Sequence, residues 1–247
     1  MTSGSNSHPM TMLIRKLESI ATLSEEDRQV IMSLPARTRT LGSGQDLVRD
    51  GDKPSQCCLV LDGWLCRYKI LDQGRRQIFS FHIAGDIPDL QSLHLQTMDH
   101  SLGTMTAATV AFIPHENIRD LMLRFPRLGS LLWRDTLVDA AVYREWMSGM
   151  GRKSAFGRIG HLFCEMYAKL EAVGLASDHQ CPLPITQGEL ADALGLSTVH
   201  VNRVLQEMRG KNLITLKGSN LLIRDWDELI RTSEFDSTYL RLEKRAA

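Results

Sequence analysis

At Pro114 the hydrophobic pattern of the chain changes period, and few architectures accommodate that change. From Arg37 to Pro114, short apolar or β-branched runs alternate with turn residues. Gln56 to Leu61, Gly63 to Ile70 and Gln77 to Ile83 read as strands, joined at Asp62-Gly63 and at Asp72-Gln73-Gly74. No run in this part is long enough to predict a helix, so the pattern is that of an antiparallel barrel or jelly roll. After Pro114, apolar residues recur at spacings of three and four. His115 to Arg124 predicts a short helix, and Pro126 suits the first turn of a longer one reaching Met150. Strands followed by helices predict an α+β chain.

The longer helix presents Leu128, Leu131, Leu132, Val138, Ala141, Val142 and Trp146 as one stripe. At about 25 residues it is roughly 37 Å long, more apolar face than a small β domain readily covers. Pairing with the same helix of a second chain is the preferred use, with Leu128, Leu131, Leu132, Val138, Val142 and Trp146 at the seam. Packing on the chain's own barrel is the alternative. A membrane span is excluded here, because Arg124, Arg127, Arg134, Asp135 and Asp139 interrupt the stretch from Leu121 to Val142.

Gly149-Met150-Gly151 breaks the helical run. A new stripe follows, through Phe156, Ile159, Leu162, Phe163, Met166 and Leu170, and residues 174–184 read as a loop. Thr186-Gln187-Gly188-Glu189 then has the form of a capping box. Leu190, Ala191 and Leu194 give an apolar face, Gly195 a tight turn, and Ser197 a cap for a second helix buried through Val201, Val204, Leu205 and Met208. Ala191 and Gly195 are expected to leave room where the helices cross. Two strands, 212–216 and 221–223, flank Lys217-Gly218-Ser219-Asn220 as a basic-tipped wing.

This is the sequence of a winged helix-turn-helix. The second helix exposes Thr198, Val199, His200, Asn202, Arg203 and Gln206. Arginine can fork to guanine O6 and N7, and asparagine can pair with adenine N6 and N7. Thr186, Gln187, Ser197 and Lys217 complete the predicted DNA-contacting set. The whole chain balances 29 Lys and Arg against 29 Asp and Glu, so nonspecific attraction to a polyanion must be local. From Ser197 to Arg224, Arg203, Arg209, Lys211, Lys217 and Arg224 oppose only Glu207.

The cysteines, Cys57, Cys58, Cys66, Cys164 and Cys181, are odd in number and contain no CxxC pair, which argues for reduced thiols over a disulfide framework or a zinc module. The Ser/Gly-rich stretch from Met1 to Pro9 has neither a basic start nor an apolar segment behind it. A cytoplasmic location is therefore expected.

With these motifs in place, the sequence resembles the CRP/FNR family of bacterial transcription regulators over almost its whole length. Val60-Leu61-Asp62-Gly63-Trp64, Cys66-Arg67-Tyr68, Gly74-Arg75-Arg76-Gln77-Ile78 and Gly85-Asp86-Ile87 are similar to the family's β-roll. Arg152-Lys153-Ser154-Ala155, Arg158-Ile159 and His161-Leu162 resemble the start of its DNA-binding domain, and Ile185 to Ile223 is the most specific match. The resemblance implies an N-terminal tail or helix (1–22), a β-roll sensor (23–125), a dimerisation helix (126–150) and a winged helix-turn-helix domain (151–247). It implies a homodimer on a palindromic double-stranded DNA operator, with RNA polymerase a candidate partner and the effector unspecified.

Departures from the family pattern shape the expectations. Cyclic-nucleotide-binding members carry Gly-Glu after the Gly-Asp turn and a later Arg-Ser-Ala, which hold the cyclic phosphate. This chain has Pro88-Asp89 and Met98-Asp99-His100 there, so cAMP and cGMP are not expected to bind. No cysteine precedes Cys57, which argues against the N-terminal iron-sulfur cluster of other members. No cofactor is expected, although His82, His94, His100 and His115 are candidate haem ligands and Cys57-Cys58 a candidate thiol sensor. Val199 stands where many members carry a cytosine-reading glutamate, whereas Arg203 retains the guanine-reading arginine. Nothing points to catalysis. The rival readings are a ligand- or partner-binding protein with a vestigial helix-turn-helix, and a cupin-like metalloenzyme, which would need a His-x-His that is missing here.

Overall fold

A computed structural model describes residues 8–242, so most of the Ser/Gly-rich N-terminal stretch and the end of the C-terminal tail lie outside the described residues. The chain begins with helices α1 (Thr11–Glu18) and α2 (Glu25–Met32). Strands follow in the order β1 (Arg37–Leu41), β2 (Asp46–Val48), β3 (Gln56–Asp62), β4 (Leu65–Ile70), β5 (Arg76–His82), β6 (Ser101–Thr104) and β7 (Ala108–Pro114). Helices α3 (His115–Arg124), α4 (Pro126–Arg152) and α5 (Ala155–Ala172) come next. The chain ends with β8 (Gln180–Pro182), α6 (Gln187–Leu194), α7 (Thr198–Gly210), β9 (Ile214–Lys217), β10 (Asn220–Ile223) and α8 (Trp226–Ser233). This is the α+β order expected, β-rich before Pro114 and mainly helical after it.

Compactness divides the chain in two. One unit runs to Leu65 and resumes over His82–Thr136; the other takes Cys66–Phe81 with Leu137 onward. The residues of β4 and β5 thus group largely with the C-terminal part, a division that differs from the partition drawn at 125 and 150.

In the first unit, β7 lies between β1 and β3, both antiparallel to it, and β2 pairs antiparallel with β6. Leu41, Val48, Cys58, Val60, Leu65, Leu102 and Val110 share one core cluster. On the other face of β3, the Cys57 sulfur meets the Asp89 carbonyl and Ser92. Both faces of this strand are covered, which explains why Cys57-Cys58-Leu59-Val60 is continuously apolar rather than alternating. The turn after β3 admits only glycine: Gly63 has φ +85°, and a Cβ there would lie 2.4 Å from the Ala107 carbonyl oxygen. Next to the roll, Leu13, Leu17, Ile31, Ile118, Leu121, Leu128 and Leu132 face one another from α1, α2, α3 and the start of α4. Arg127 bonds Asp27 and the Thr22 carbonyl.

These contacts bear on the residues expected at the dimer seam. Leu128, Leu131, Leu132, Val142 and Trp146 are buried within the chain itself, and Val138 is half-buried. The stripe satisfies the chain's own core, the alternative that periodicity could not separate from a partner. The exposed apolar residues of α4 are Trp133, Leu137, Met147 and Met150.

In the second unit, β10 lies between β8 and β9. Residues 174–184 are therefore not all loop: the chain doubles back through positive φ at Gly174, Asp178 and His179 and adds the short strand β8 to the wing. Helix α8 packs on α5 at Gly160, where a Cβ would come within 2.9 Å of Ser233. At the centre, the fully buried Glu165 carboxylate accepts from Trp146 Nε1 (3.1 Å) and from the Tyr239 hydroxyl (2.6 Å). His161 Nε2 is 3.0 Å from that hydroxyl, and Lys153 Nζ is 3.0 Å from His161 Nδ1. A neutral His161 completes a one-way chain of donors, Lys153 to His161 to Tyr239 to Glu165. Burial, aided by Lys153, lowers His161 to about 4, and burial raises the Glu165 carboxyl.

Tyr239→Phe breaks this chain in the middle and is expected to destabilise the fold by about 1–3 kcal/mol in urea denaturation near pH 7; an unchanged midpoint would contradict the network. His161 has a folded value below its ordinary 6.5, so on acidification the unfolded chain takes up the proton first. The stability difference between the wild type and His161→Gln should accordingly shrink as pH falls from 6.5 towards about 4.

Candidate nucleic-acid interface

The helix-turn-helix is built by local rules that the sequence states openly. Thr186 Oγ1 accepts from the Glu189 amide (3.2 Å), and the Glu189 carboxylate accepts from the Thr186 amide (2.8 Å), closing the capping box of α6. Gly195 ends α6 in the left-handed region at φ +62°. No atom lies within 4 Å of a Cβ built there, so the glycine serves backbone conformation and not, as expected, space at the crossing. Ser197 caps α7 by accepting from the His200 amide (3.2 Å).

Val201, Val204, Leu205 and Met208 bury one face of α7, and Thr198, Val199, His200, Asn202, Arg203 and Gln206 are exposed on the other. Val199 is 70% exposed, unusual for a branched aliphatic side chain on a folded domain. Thr186 and Ser197 spend their hydroxyls on capping. Asn202 Nδ2 donates to Gln187 Oε1 across the two helices (3.2 Å). Lys217 lies exposed at the wing tip, where Gly218 turns the chain with φ +56°.

The local cations divide by partner. Lys211 pairs with Glu207 (2.8 Å), and Arg224 donates to Thr215 (2.6 Å). Arg203 and Lys217 have no ion pair among the described residues and keep their charge at the surface. The sequence reading missed what holds the far end of α6. Gln77 donates to the Ala193 carbonyl (3.3 Å), Arg158 to the Leu194 carbonyl (2.7 Å), and Arg76 pairs with Asp192 (2.8 Å). A helix C-terminus announces that its carbonyls need donors, but not which distant residues supply them.

In the β-roll, a pocket of about 360 Å³ is lined by Leu47, Val48, Gln56 and Phe112, with Lys53 its one cation against Asp52 and Asp89. The Asp89 carboxylate accepts from the buried Cys58 amide (2.8 Å). Asp86 is paired with Lys16 (2.8 Å) and accepts from the Ile83 amide (3.1 Å). The candidate haem ligands are dispersed: His82 is buried beside Asp86, His115 bonds Ser92 (2.9 Å), His100 bonds Asp99 (2.7 Å), and His94 is exposed. Among the described residues no three His, Cys, Asp or Glu side chains gather as a metal-holding group. All five cysteines are buried.

Comparison with known proteins agrees with this architecture. Residues 38–125 match the cyclic nucleotide-binding domain family, and residues 157–232 match the Crp-like helix-turn-helix domain. The chain is similar to the transcriptional activator protein Anr of Pseudomonas aeruginosa, at 28% identity over 84% of each chain. It is also similar to the fumarate and nitrate reduction regulatory protein of Vibrio cholerae, at 23% identity over 85% of this chain and 83% of the relative. The solved structure of FixK2 from Bradyrhizobium japonicum shares the fold, with a TM-score of 0.74 at 22% identity, covering 81% of this chain and 98% of that one.

The chain belongs to the CRP/FNR family of transcriptional regulators. In CRP/FNR terms, α6 and α7 are the helix-turn-helix, the strands before Pro114 are the β-roll, and the chain is a DNA-binding regulator of that type. No helix of the described residues is long and apolar enough to cross a membrane.

Burial raises the thiols of Cys57 and Cys58, and pushes Cys164 and Cys181 up to about 12. A buried thiol held neutral is a poor nucleophile. All five cysteines should therefore resist alkylation in the folded protein and react after unfolding; rapid native-state labelling of Cys57 or Cys58 would reinstate a thiol sensor.

Proposed function

We propose that the chain is a cytoplasmic, non-catalytic regulator that binds a palindromic operator as a homodimer, with one α7 in the major groove of each half-site. The observation that carries this reading is the exposed face of α7, polar except for Val199 and flanked by the uncompensated Lys217. Arg203 is suited to guanine O6 and N7, and Val199 to a thymine methyl. Lys217 supplies a phosphate contact that carries no sequence information. RNA polymerase stands as a further candidate partner.

The dimer seam belongs on the outer face of α4. Trp133, Leu137, Ala140, Arg144 and Met147 follow one another at alternating spacings of four and three, the heptad pattern of paired helices. Three of these, Trp133, Leu137 and Met147, are at least half exposed. The signal received at the β-roll is other than a cyclic nucleotide. Its pocket offers two carboxylates and one lysine, and a buried phosphate with so little positive charge around it is unfavourable.

Arg203→Ala should lose about 1–3 kcal/mol per half-site and relax preference at one base pair, whereas Lys217→Ala should weaken every sequence alike and lower the salt slope by about 1. Equal loss on operator and random DNA would remove Arg203 from the reading role. For the seam, sedimentation equilibrium of the wild type should give a dimer and of Leu137→Asp with Met147→Asp a folded monomer, checked by circular dichroism. A wild-type monomer at micromolar concentration, or a double variant that still dimerises, would contradict the assignment.

A further inference from the structure

We infer that Gln187 is a positioning residue for base recognition: its carboxamide fixes which end of the Asn202 carboxamide faces the DNA and so lets Asn202 distinguish adenine from guanine. The inference rests on the reading of α7 as the helix that enters the major groove. Its basis is the bond from Asn202 Nδ2 to Gln187 Oε1 (3.2 Å), made between the first residue of α6 and the exposed face of α7. The Gln187 side chain takes no part in capping its own helix, because Thr186 and Glu189 form the capping box between them. Its side chain is therefore available for a task outside α6.

The task follows from amide chemistry. The two ends of a carboxamide are nearly the same size, but one accepts and the other donates. An asparagine free to turn over presents either end to a base, and its selectivity is blurred. Adenine offers a donor at N6 beside an acceptor at N7, so it needs an oxygen and an N–H side by side. With one Nδ2 hydrogen held by Gln187, Asn202 keeps Oδ1 and its second Nδ2 hydrogen for that pattern. Guanine, with acceptors at both O6 and N7, would set O6 against Oδ1, an unfavourable pairing of two acceptors. Gln187 also orders the side chain before DNA arrives, so less freedom is lost on binding.

The test uses the full-length protein and duplexes carrying its selected inverted repeat, with each half-site position changed in turn between adenine and guanine. Binding is followed by fluorescence anisotropy. At the position read by Asn202, the wild type should prefer adenine by about tenfold, equivalent to about 1.4 kcal/mol. Asn202→Ala, Gln187→Ala and the double variant should each reduce that preference to about twofold or less, with no further loss in the double. Gln187→Glu keeps an acceptor for Asn202 Nδ2 and should retain the preference, while its added negative charge weakens binding to every sequence. A preference that survives Gln187→Ala or Asn202→Ala, or single losses that add in the double variant, would overturn the inference. The guanine preference supplied by Arg203 is the internal control. Its persistence in Gln187→Ala shows that α7 still reads DNA, whereas its absence from the wild type would mean that the reading of α7 has failed and this inference with it.

Discussion

A carboxylate with no access to water has to be met on its lone pairs, and Glu165 imposes that requirement on the whole C-terminal half of the chain. Its partners come from three directions: Trp146 near the end of α4, Tyr239 in the C-terminal segment and, through Tyr239, His161 on α5 itself. Removing one partner leaves a buried acceptor unsatisfied, which is more damaging than the loss of an ordinary surface bond. The last turns of α4, the scaffold helix α5 and the segment after α8 are therefore held as one piece. The aromatic rings of Tyr167, His179, Trp226, Phe235 and Tyr239 form a connected cluster in the same unit, with neighbouring centroids 5.1 to 6.4 Å apart. The recognition elements α6 and α7 are mounted on this scaffold, and Arg158 of α5 holds the final carbonyl of α6 directly.

How much of this was legible in the sequence depends on whether the determinant is local. The helix-turn-helix was, because a capping box, a left-handed glycine and a serine cap act within four residues of one another and leave a readable signature. The strands before Pro114 were, because hairpin turns recur and the apolar runs are short. The direction of α4 was not: its stripe predicts burial, but periodicity cannot say whether the cover is the chain's own core or a partner, and here Leu128, Leu132 and Trp146 turn inward. The strand β8 escaped notice because it is three residues long and owes its existence to β10 beside it. The Glu165 network escaped for a related reason: residues 161 and 165 are one helical turn apart, but nothing in the spacing of 146 and 239 marks them as neighbours of that pair.

The interface separates two jobs that a regulator must perform. In the proposed interface, Lys217 and the local excess of positive charge are the source of attraction that any duplex would feel. Val199, Asn202 and Arg203 differ in what they can accept or donate, and specificity is assigned to them. In the β-roll the balance runs the other way. Asp86 and Asp89 are buried and already bonded, to Lys16 and to the Cys58 amide. Acids occupied in this way serve the fold, and the signal proposed for this domain is accordingly one other than an anionic nucleotide.

The central claim is that the exposed face of α7 reads DNA sequence in pairs related by two-fold symmetry. Selection from a random duplex library by the purified protein near 0.1 M salt, where phosphate attraction alone is modest, tests it most directly. The account predicts enrichment of an inverted repeat whose half-sites lie about one helical turn apart and each contain a guanine that Arg203→Ala no longer selects. Enrichment of a single asymmetric site, or a repeat whose guanine is still selected by Arg203→Ala, would contradict it.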